Sequence, residues 1–134
     1  MILQLQSQHV VLLKKQTKRV HPAEACAMLF GDLSENLAVV KEVTIASNKL
    51  QSAVKFEIDP VEAVAAFAVA DKKGLEFIGL FHSHPAPTLP SSVDLTYMRL
   101  WGDSIWLIHS SLDDGLAAYQ LIDGKVKQAT IKIK

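Results

Sequence analysis

The chain has 134 residues, of which 49% are hydrophobic, and its 14 basic and 14 acidic residues cancel to a formal charge of zero. This length and composition predict one globular domain over residues 1–134. The balanced charge excludes the basic surface of nucleic-acid-binding proteins, so we expect no nucleic-acid partner. The longest near-apolar stretch, residues 61–70, is too short to span a membrane. A single cysteine, and an N-terminus whose charges follow its apolar residues, predict a cytoplasmic protein.

Hydrophobic patterning along the chain predicts an α/β protein with the element order α-β-β-β-α-β-α-β-β-β. The predicted elements are, in chain order, a helix over 7–20, strands over 26–30, 37–46 and 54–58, a helix over 59–74, a strand that begins at 75 and carries two histidines, a helix over 91–102, and strands over 105–109, 116–122 and 125–133.

Turn and cap residues define the ends of several of these elements. His21-Pro22 ends the first helix because the residue before a proline avoids the helical region. Gly31-Asp32 is predicted to be a turn, and Asp123-Gly124 is typical of a tight hairpin turn. Asp59-Pro60 starts the second helix with an N-cap and a proline at the first helical position, and Gly74 is suited to end it.

The segment His82-Ser83-His84 predicts a metal site at the end of a strand. Residues i and i+2 of a strand point to the same face, with Cα atoms roughly 6.6 Å apart, so the two imidazoles can bind one ion. Asp94 follows a proline-rich loop and can add a carboxylate oxygen. Two histidines and one acid leave the fourth position of a tetrahedral zinc ion open to water, which is typical of a catalytic site.

Ser91 lies three residues before Asp94, so the two side chains project from the same side of a helix's first turn. The Ser91 hydroxyl can donate a hydrogen bond to an oxyanion beside the metal, or it can cap the helix, or both. Either Ser91 or Ser92 can begin this helix, so both hydroxyls are candidates for the position near the metal.

A zinc hydrolase also needs a group that carries a proton from water to the leaving group. Glu24 is the candidate, because it is a lone carboxylate among alanine and cysteine residues at the start of a buried strand. Such an acid is either solvated at the end of the element or retained for chemistry. The residues alone leave both interpretations open.

Three segments together resemble the JAMM (MPN+) metalloprotease family: HPAEACAMLFG (21–31), FIGLFHSHPAP (77–87) and PSSVDL (90–95). The family pattern is a glutamate, then His-x-His, a gap of seven residues and Ser-x-x-Asp. The resemblance covers essentially the whole chain and is closest to compact archaeal members related to the proteasome-lid deubiquitinases. Here the gap, residues 85–90, is one residue shorter than usual.

The resemblance implies a zinc-dependent isopeptidase that hydrolyses the bond after the C-terminal glycine of ubiquitin or a ubiquitin-like modifier, using zinc-activated water. By motif position, Glu24 is the general acid/base, Ser91 stabilises the oxyanion, and His82, His84 and Asp94 bind Zn²⁺. The implied fold is a curved mixed β-sheet packed between helices, similar to cytidine deaminases. The implied partners are ubiquitin-like conjugates, with proteasome association and a homodimer left open.

Two other functions fit the same residues. One is a zinc peptidase that trims the C-terminus of a sulfur-carrier protein, and the other is a non-catalytic MPN scaffold, a branch that typically loses the ligands retained here. Residues 47–55, which we call the flap, occupy the place of the family's first insertion. The flap is polar and lies between two predicted strands, so we expect a mobile segment that pairs as a strand with the tail of a modifier.

Overall fold

The computed structural model describes residues 1–134 as seven strands and three helices. In chain order these are β1 (Ile2–Leu5), α1 (Ser7–Val20), β2 (Cys26–Leu33), β3 (Leu37–Ala46), α2 (Pro60–Lys72), β4 (Glu76–His84), α3 (Ser92–Leu100), β5 (Ile105–Ser110), β6 (Leu116–Ile122) and β7 (Lys125–Ile133). None of the helices is long and apolar enough to cross a membrane.

All seven strands form one mixed sheet in the order β1-β3-β2-β4-β5-β6-β7. The sheet closes on itself because β1 pairs in parallel with both β3 and β7. The pair β4–β5 is also parallel, and the other pairs are antiparallel. The prediction of a mixed α/β sheet with three helices is therefore confirmed, whereas its closure was not expected.

Strand β2 is buried on both faces, and its alternating side chains enter two different cores. Ala27 and Leu29 belong to an inner core that contains residues from all seven strands and Leu13 of α1. Met28 and Phe30 belong to an outer core that α2 and α3 cover. Because successive strand residues point to opposite faces, this alternation determines which residues of β2 and its neighbour β4 can face a site beside α3.

The predicted element order is wrong at two places. The structure begins with strand β1, and the order is β-α-β-β-α-β-α-β-β-β. Residues 54–58 form no strand; the only pairing there is a single bridge between Asn48 and Ile58. Phe56 and Ile58 are buried because they fill the outer core from a loop, so the apolar alternation that predicts a strand here belongs to a loop.

The prediction of a turn at Gly31-Asp32 is also wrong, because β2 continues through both residues to Leu33. The pairing of β2 with β3 shifts in register between Phe30 and Gly31, which is a β-bulge within a continuous strand. A Cβ atom on Gly31 would overlap the carbonyl oxygen of Val39. The glycine is thus explained by the close approach of two strands rather than by a turn.

The other predicted end signals are confirmed. Helix α1 ends at Val20, and the Asp59 side chain caps α2 by accepting a hydrogen bond of 2.8 Å from the Val61 N–H. Gly74, with φ of +69°, follows α2, while Asp123 and Gly124 have φ of +51° and +76°, as a type I′ hairpin turn requires.

Because β1 closes the sheet, alanine substitutions at two neighbouring residues of β1 should lower the free energy of unfolding by different amounts. Leu3 is completely buried, whereas Ile2 is 38% exposed. We expect Leu3→Ala to lower the free energy of unfolding by about 2–5 kcal/mol, the usual cost of a large-to-small core change. Ile2→Ala, the matched control on the opposite face, should cost about 1 kcal/mol or less. Urea denaturation measures both, and equal losses would contradict the inward orientation of Leu3.

Candidate metal centre

Strand β4 brings two histidines to its C-terminal end, on the face that is packed against the outer core. His82 is completely buried and His84 is 6% exposed. The Phe56 ring stacks on the His82 imidazole with centroids 4.6 Å apart, and the Trp106 ring meets it edge-on at 5.5 Å. The His82 ring is therefore held by aromatic packing, so its orientation does not depend on solvent.

Helix α3 brings a carboxylate to the same place through its N-terminal cap. The Ser91 Oγ atom accepts a hydrogen bond of 3.0 Å from the Asp94 N–H, and the Asp94 Oδ2 atom accepts one of 3.0 Å from the Ser91 N–H. This capping box directs the carboxylate toward β4. The Asp94 Oδ2 atom lies 3.1 Å from His82 Nε2 and 3.8 Å from His84 Nε2.

These three side chains fit a metal ion. Their ligand atoms all lie within 4.8 Å of one another, and all three residues are buried. The His84 Nε2 atom has no hydrogen-bond partner although it is buried, a state that costs about 1–3 kcal/mol unless a ligand compensates it. Two imidazoles and one carboxylate are a donor set that zinc accepts, with a fourth position left open.

The electrostatics of His84 and Asp94 favour the protonation states that a metal requires. Burial and the neighbouring His82 lower the pKa of His84, so its imidazole stays neutral. Burial alone would raise the pKa of Asp94, but the hydrogen bonds from His82 and from the Ser91 backbone outweigh that effect and lower it. A neutral imidazole and an ionised carboxylate are the forms of these two groups that bind metal ions.

Glu24 lies next to this cluster because β2 and β4 pair with Cys26 opposite His82. Because the two segments run antiparallel, the residue two positions before Cys26, Glu24, lies toward the residue two positions after His82, which is His84. The Glu24 side chain is 2% exposed, and its Oε1 atom is buried without a hydrogen-bond partner. Burial, followed by the negative charge of Asp94, raises the pKa of Glu24 to about 8. Glu24 is thus a buried carboxyl group close to the predicted ligands.

A cleft of about 390 Å³ opens onto the cluster. Two residues of the flap, the proline-rich loop after β4 and three polar residues of the candidate site line it: Ala53, Val54, Pro85, Ala86, Pro87, Leu89, Glu24, His84 and Ser91. An extended chain that entered this cleft would pass beside the Glu24 carboxyl group and the Ser91 hydroxyl.

All five residues singled out in the sequence therefore lie together. His82, His84 and Asp94 form the cluster, and Glu24 and Ser91 line the cleft beside it. Of the alternatives for the start of α3, Ser91 is the N-cap. Its Oγ atom acts there as an acceptor, which leaves its O–H free to donate.

Three other residues at the site were missed in the sequence. Phe56 stacks on His82, Ser83 bonds the backbone beside Glu24, and Asn48 bonds the Glu24 carbonyl oxygen. The only signal for Asn48 was its place at the start of a loop, where asparagine commonly bonds nearby backbone groups. Neither Phe56 nor Ser83 carried a local signal of its role.

Residues 6–122 match the family model of prokaryotic homologues of the JAB domain. The chain belongs to this family. This match, together with relatives named desampylase, confirms the resemblance of the chain to JAMM metalloproteases. The solution structure of a protein from Desulfitobacterium hafniense has a TM-score of 0.84 and 28% identity to this chain, and the alignment covers 100% of this chain and 93% of that one.

Two archaeal relatives of this JAB-family chain are named desampylase. The protein of Pyrococcus furiosus is 45% identical over 86 residues, which are 63% of this chain and 58% of that protein. The protein of Haloferax volcanii is 26% identical over 114 residues, which are 84% of this chain and 80% of that protein. The match thus spans somewhat more than half of the length of the Pyrococcus relative.

The cap of α3 predicts which of the two adjacent serines matters for stability. The Ser91 hydroxyl caps the helix, whereas Ser92 is the first helical residue and not its cap. We expect Ser91→Ala to lower the free energy of unfolding by about 1 kcal/mol, and Ser92→Ala to lower it by about 0.5 kcal/mol or less. Urea denaturation in the presence of a chelator removes any contribution of bound metal. A larger loss for Ser92→Ala would contradict the assignment of the cap.

Proposed function

We propose that the chain is a zinc-dependent isopeptidase that hydrolyses the bond after the C-terminal glycine of a ubiquitin-like modifier. One observation carries this proposal: the buried ligand atoms of His82, His84 and Asp94 converge beside a cleft that is also lined by the buried carboxyl group of Glu24. The names of the two desampylase relatives, which indicate removal of a ubiquitin-like modifier, support the substrate class.

In this proposal the cluster holds one zinc ion through His82, His84 and Asp94. A zinc ion held there supplies Lewis acidity, which polarises the scissile carbonyl and makes water a stronger nucleophile near neutral pH. The capping box of α3 keeps the Asp94 carboxylate in place, and Phe56 keeps the His82 ring in place. Ligands whose orientation is set by the protein lose less conformational freedom when the ion binds.

Glu24 carries the proton in this reaction. Its carboxylate accepts the proton that the attacking water loses and then delivers it to the leaving amine. Burial and the charge of Asp94 raise the pKa of Glu24 to about 8, whereas a nearby cation favours the ionised form. The two influences oppose each other, so the group can exchange a proton near neutral pH. Ser91, whose hydroxyl hydrogen is free, donates to the oxyanion that forms on the scissile carbonyl.

The cleft receives the C-terminal tail of the modifier. Its walls, formed by Ala53 and Val54 of the flap and by the loop that contains Pro85 and Pro87, are mainly apolar or small. Prolines reduce the freedom that this loop would lose on binding. The flap contributes backbone groups along one wall, and pairing of these groups with an extended tail would align the scissile bond with Glu24.

Metal content tests the assignment of the ligands. We expect purified protein saturated with zinc to hold one zinc ion per chain, because the cluster offers three protein ligands for one ion. The double variant His82→Ala/His84→Ala should hold none under the same conditions, whereas His21→Ala, a change at an exposed histidine, should keep the full amount. Elemental analysis measures this. Undiminished zinc in the double variant would exclude the assignment.

Substitution of Glu24 tests the mechanism. We expect Glu24→Gln to retain zinc and the fold and to lower kcat by about 10²–10⁴-fold, because the amide cannot accept the proton. The measurement is cleavage of ubiquitin-like proteins presented as an isopeptide conjugate and as a linear fusion. Glu35→Gln, at an exposed glutamate between β2 and β3, is the control and should stay near wild type.

Two other outcomes would contradict the proposal. A Glu24→Gln rate within a few-fold of the wild-type rate would mean that another group carries the proton. Cleavage of linear fusions to a sulfur-carrier protein, with no cleavage of any isopeptide conjugate, would favour the alternative of a processing peptidase.

A further inference from the structure

The backbone of the Glu24-Ala25 dipeptide is held from two sides. The Glu24 N–H donates to the Ser52 carbonyl oxygen at 2.7 Å, and the Glu24 carbonyl oxygen accepts from Asn48 Nδ2 at 3.1 Å. On the other side, the Ala25 N–H donates to Ser83 Oγ at 2.9 Å, and the Ala25 carbonyl oxygen accepts from the Ser83 N–H at 3.1 Å. All four backbone polar groups are bonded, two to the flap and two to β4.

Asn48 is the centre of the flap side of this arrangement. Besides the Glu24 carbonyl oxygen, its Nδ2 atom donates to the carbonyl oxygens of Ser52 and Lys55 at 3.4 and 3.1 Å. Its Oδ1 atom accepts from the N–H groups of Leu50 and Glu57 at 3.0 and 3.2 Å. A reversed amide would place its oxygen against three carbonyl oxygens, so the orientation of the side chain is determined by its partners.

The side chain of Glu24, by contrast, has little to locate it. Its Oε1 atom is buried and has no hydrogen-bond partner. The position of the carboxyl group therefore depends on the backbone from which it projects. A displacement of about 1 Å of a reacting group can cost on the order of 10²-fold in rate, so the bonds that hold this backbone matter for the reaction.

We propose that Asn48 is a positioning residue: its amide ties the flap to the backbone of Glu24, so that the segment bordering the cleft sets the place of the proton carrier. The inference rests on the proposed function of Glu24. Asn48 is neither one of the predicted metal ligands nor one of the cleft-lining residues, and it acts through its bond to Glu24. A modifier tail that pairs with the flap would thereby also restrict the motion of the Glu24 backbone.

Two substitutions separate the two halves of the Asn48 amide. Asn48→Ala removes both halves. Asn48→Asp keeps an oxygen that can accept from Leu50 and Glu57, but it loses the donor to the carbonyl oxygens of Glu24, Ser52 and Lys55. We expect both variants to retain zinc and to lower kcat for the conjugate that the wild type cleaves by about 10–100-fold. Asn36→Ala and Asn36→Asp, made at the exposed asparagine between β2 and β3, are the controls and should leave kcat unchanged. A near-wild-type rate for Asn48→Asp would overturn the proposal.

A double-mutant cycle with Glu24 distinguishes positioning from general support of the loop. If Asn48 acts through Glu24, then Asn48→Ala should lower kcat strongly in the wild type and hardly at all in the Glu24→Gln background. Single-turnover reactions with excess enzyme and long incubation make the slow rates measurable. Equal fold-losses in both backgrounds, or a rise in KM alone, would mean that Asn48 supports the flap or substrate binding and would overturn the proposal.

Amide hydrogen exchange tests, without any substrate, whether Asn48 holds the flap against Glu24, because the Glu24 N–H donates to Ser52 of the flap. In residue-resolved NMR measurements on the full chain, Asn48→Ala should reduce the protection of the Glu24 N–H by at least ~10-fold, whereas the Asn36→Ala control should not. Ser83→Ala, which removes the bond on the other side, should mainly expose the Ala25 N–H. Unchanged Glu24 protection in a folded Asn48→Ala protein would overturn the inference. A wild type that cleaves no conjugate, but shows the expected exchange, would contradict only the proposed function.

Discussion

The antiparallel pairing of β2 with β4 is the constraint on which the site depends. With Cys26 opposite His82, the residue two positions before Cys26 lies near the residue two positions after His82, so Glu24 and His84 become neighbours. The same register makes Ser83 bond the backbone beside Glu24. A shift of one residue would turn every one of these side chains to the opposite face of the sheet. The inner and outer cores hold this register because both faces of β2 are buried.

The site also places several titratable side chains in the buried interior of the protein. Four titratable side chains of the site are at most 6% exposed: Glu24, His82, His84 and Asp94. Such burial disfavours a charge on an isolated group. The raised pKa of Glu24 and the lowered pKa of His84 both follow from this burial. A bound cation would compensate the cost and, by binding only the folded state, would stabilise the protein. The aromatic ring of Phe56 completes the enclosure from the loop side.

Several parts of this protein were predictable because their signals lie within a few residues. The His82-x-His84 spacing on a strand, and the Ser91-x-x-Asp94 spacing at a helix start, depend only on the local periods of strand and helix. The same is true of the Asp59 cap and of the Asp123-Gly124 turn, which the structure confirms. For Glu24 the residues alone left two interpretations open, and the resemblance to a family selected one of them. The cluster of three ligand residues in the structure is consistent with that choice.

Contacts between distant segments decided the rest. Strand β1 is four residues long, and only its pairing with β3 and β7 shows that it closes the sheet. Phe56 and Ile58 alternate like strand residues, yet they fill the outer core from a loop. Ser83 lies 58 residues from Ala25 in the chain and bonds it directly, and Asn48 lies 24 residues from Glu24. By itself, the sequence determined which groups could bind a metal, where α1 and α2 begin and where the hairpin at Asp123-Gly124 turns, because those are local properties. Only the tertiary structure decided what surrounds Glu24, because burial and hydrogen bonds between segments depend on how the whole chain packs.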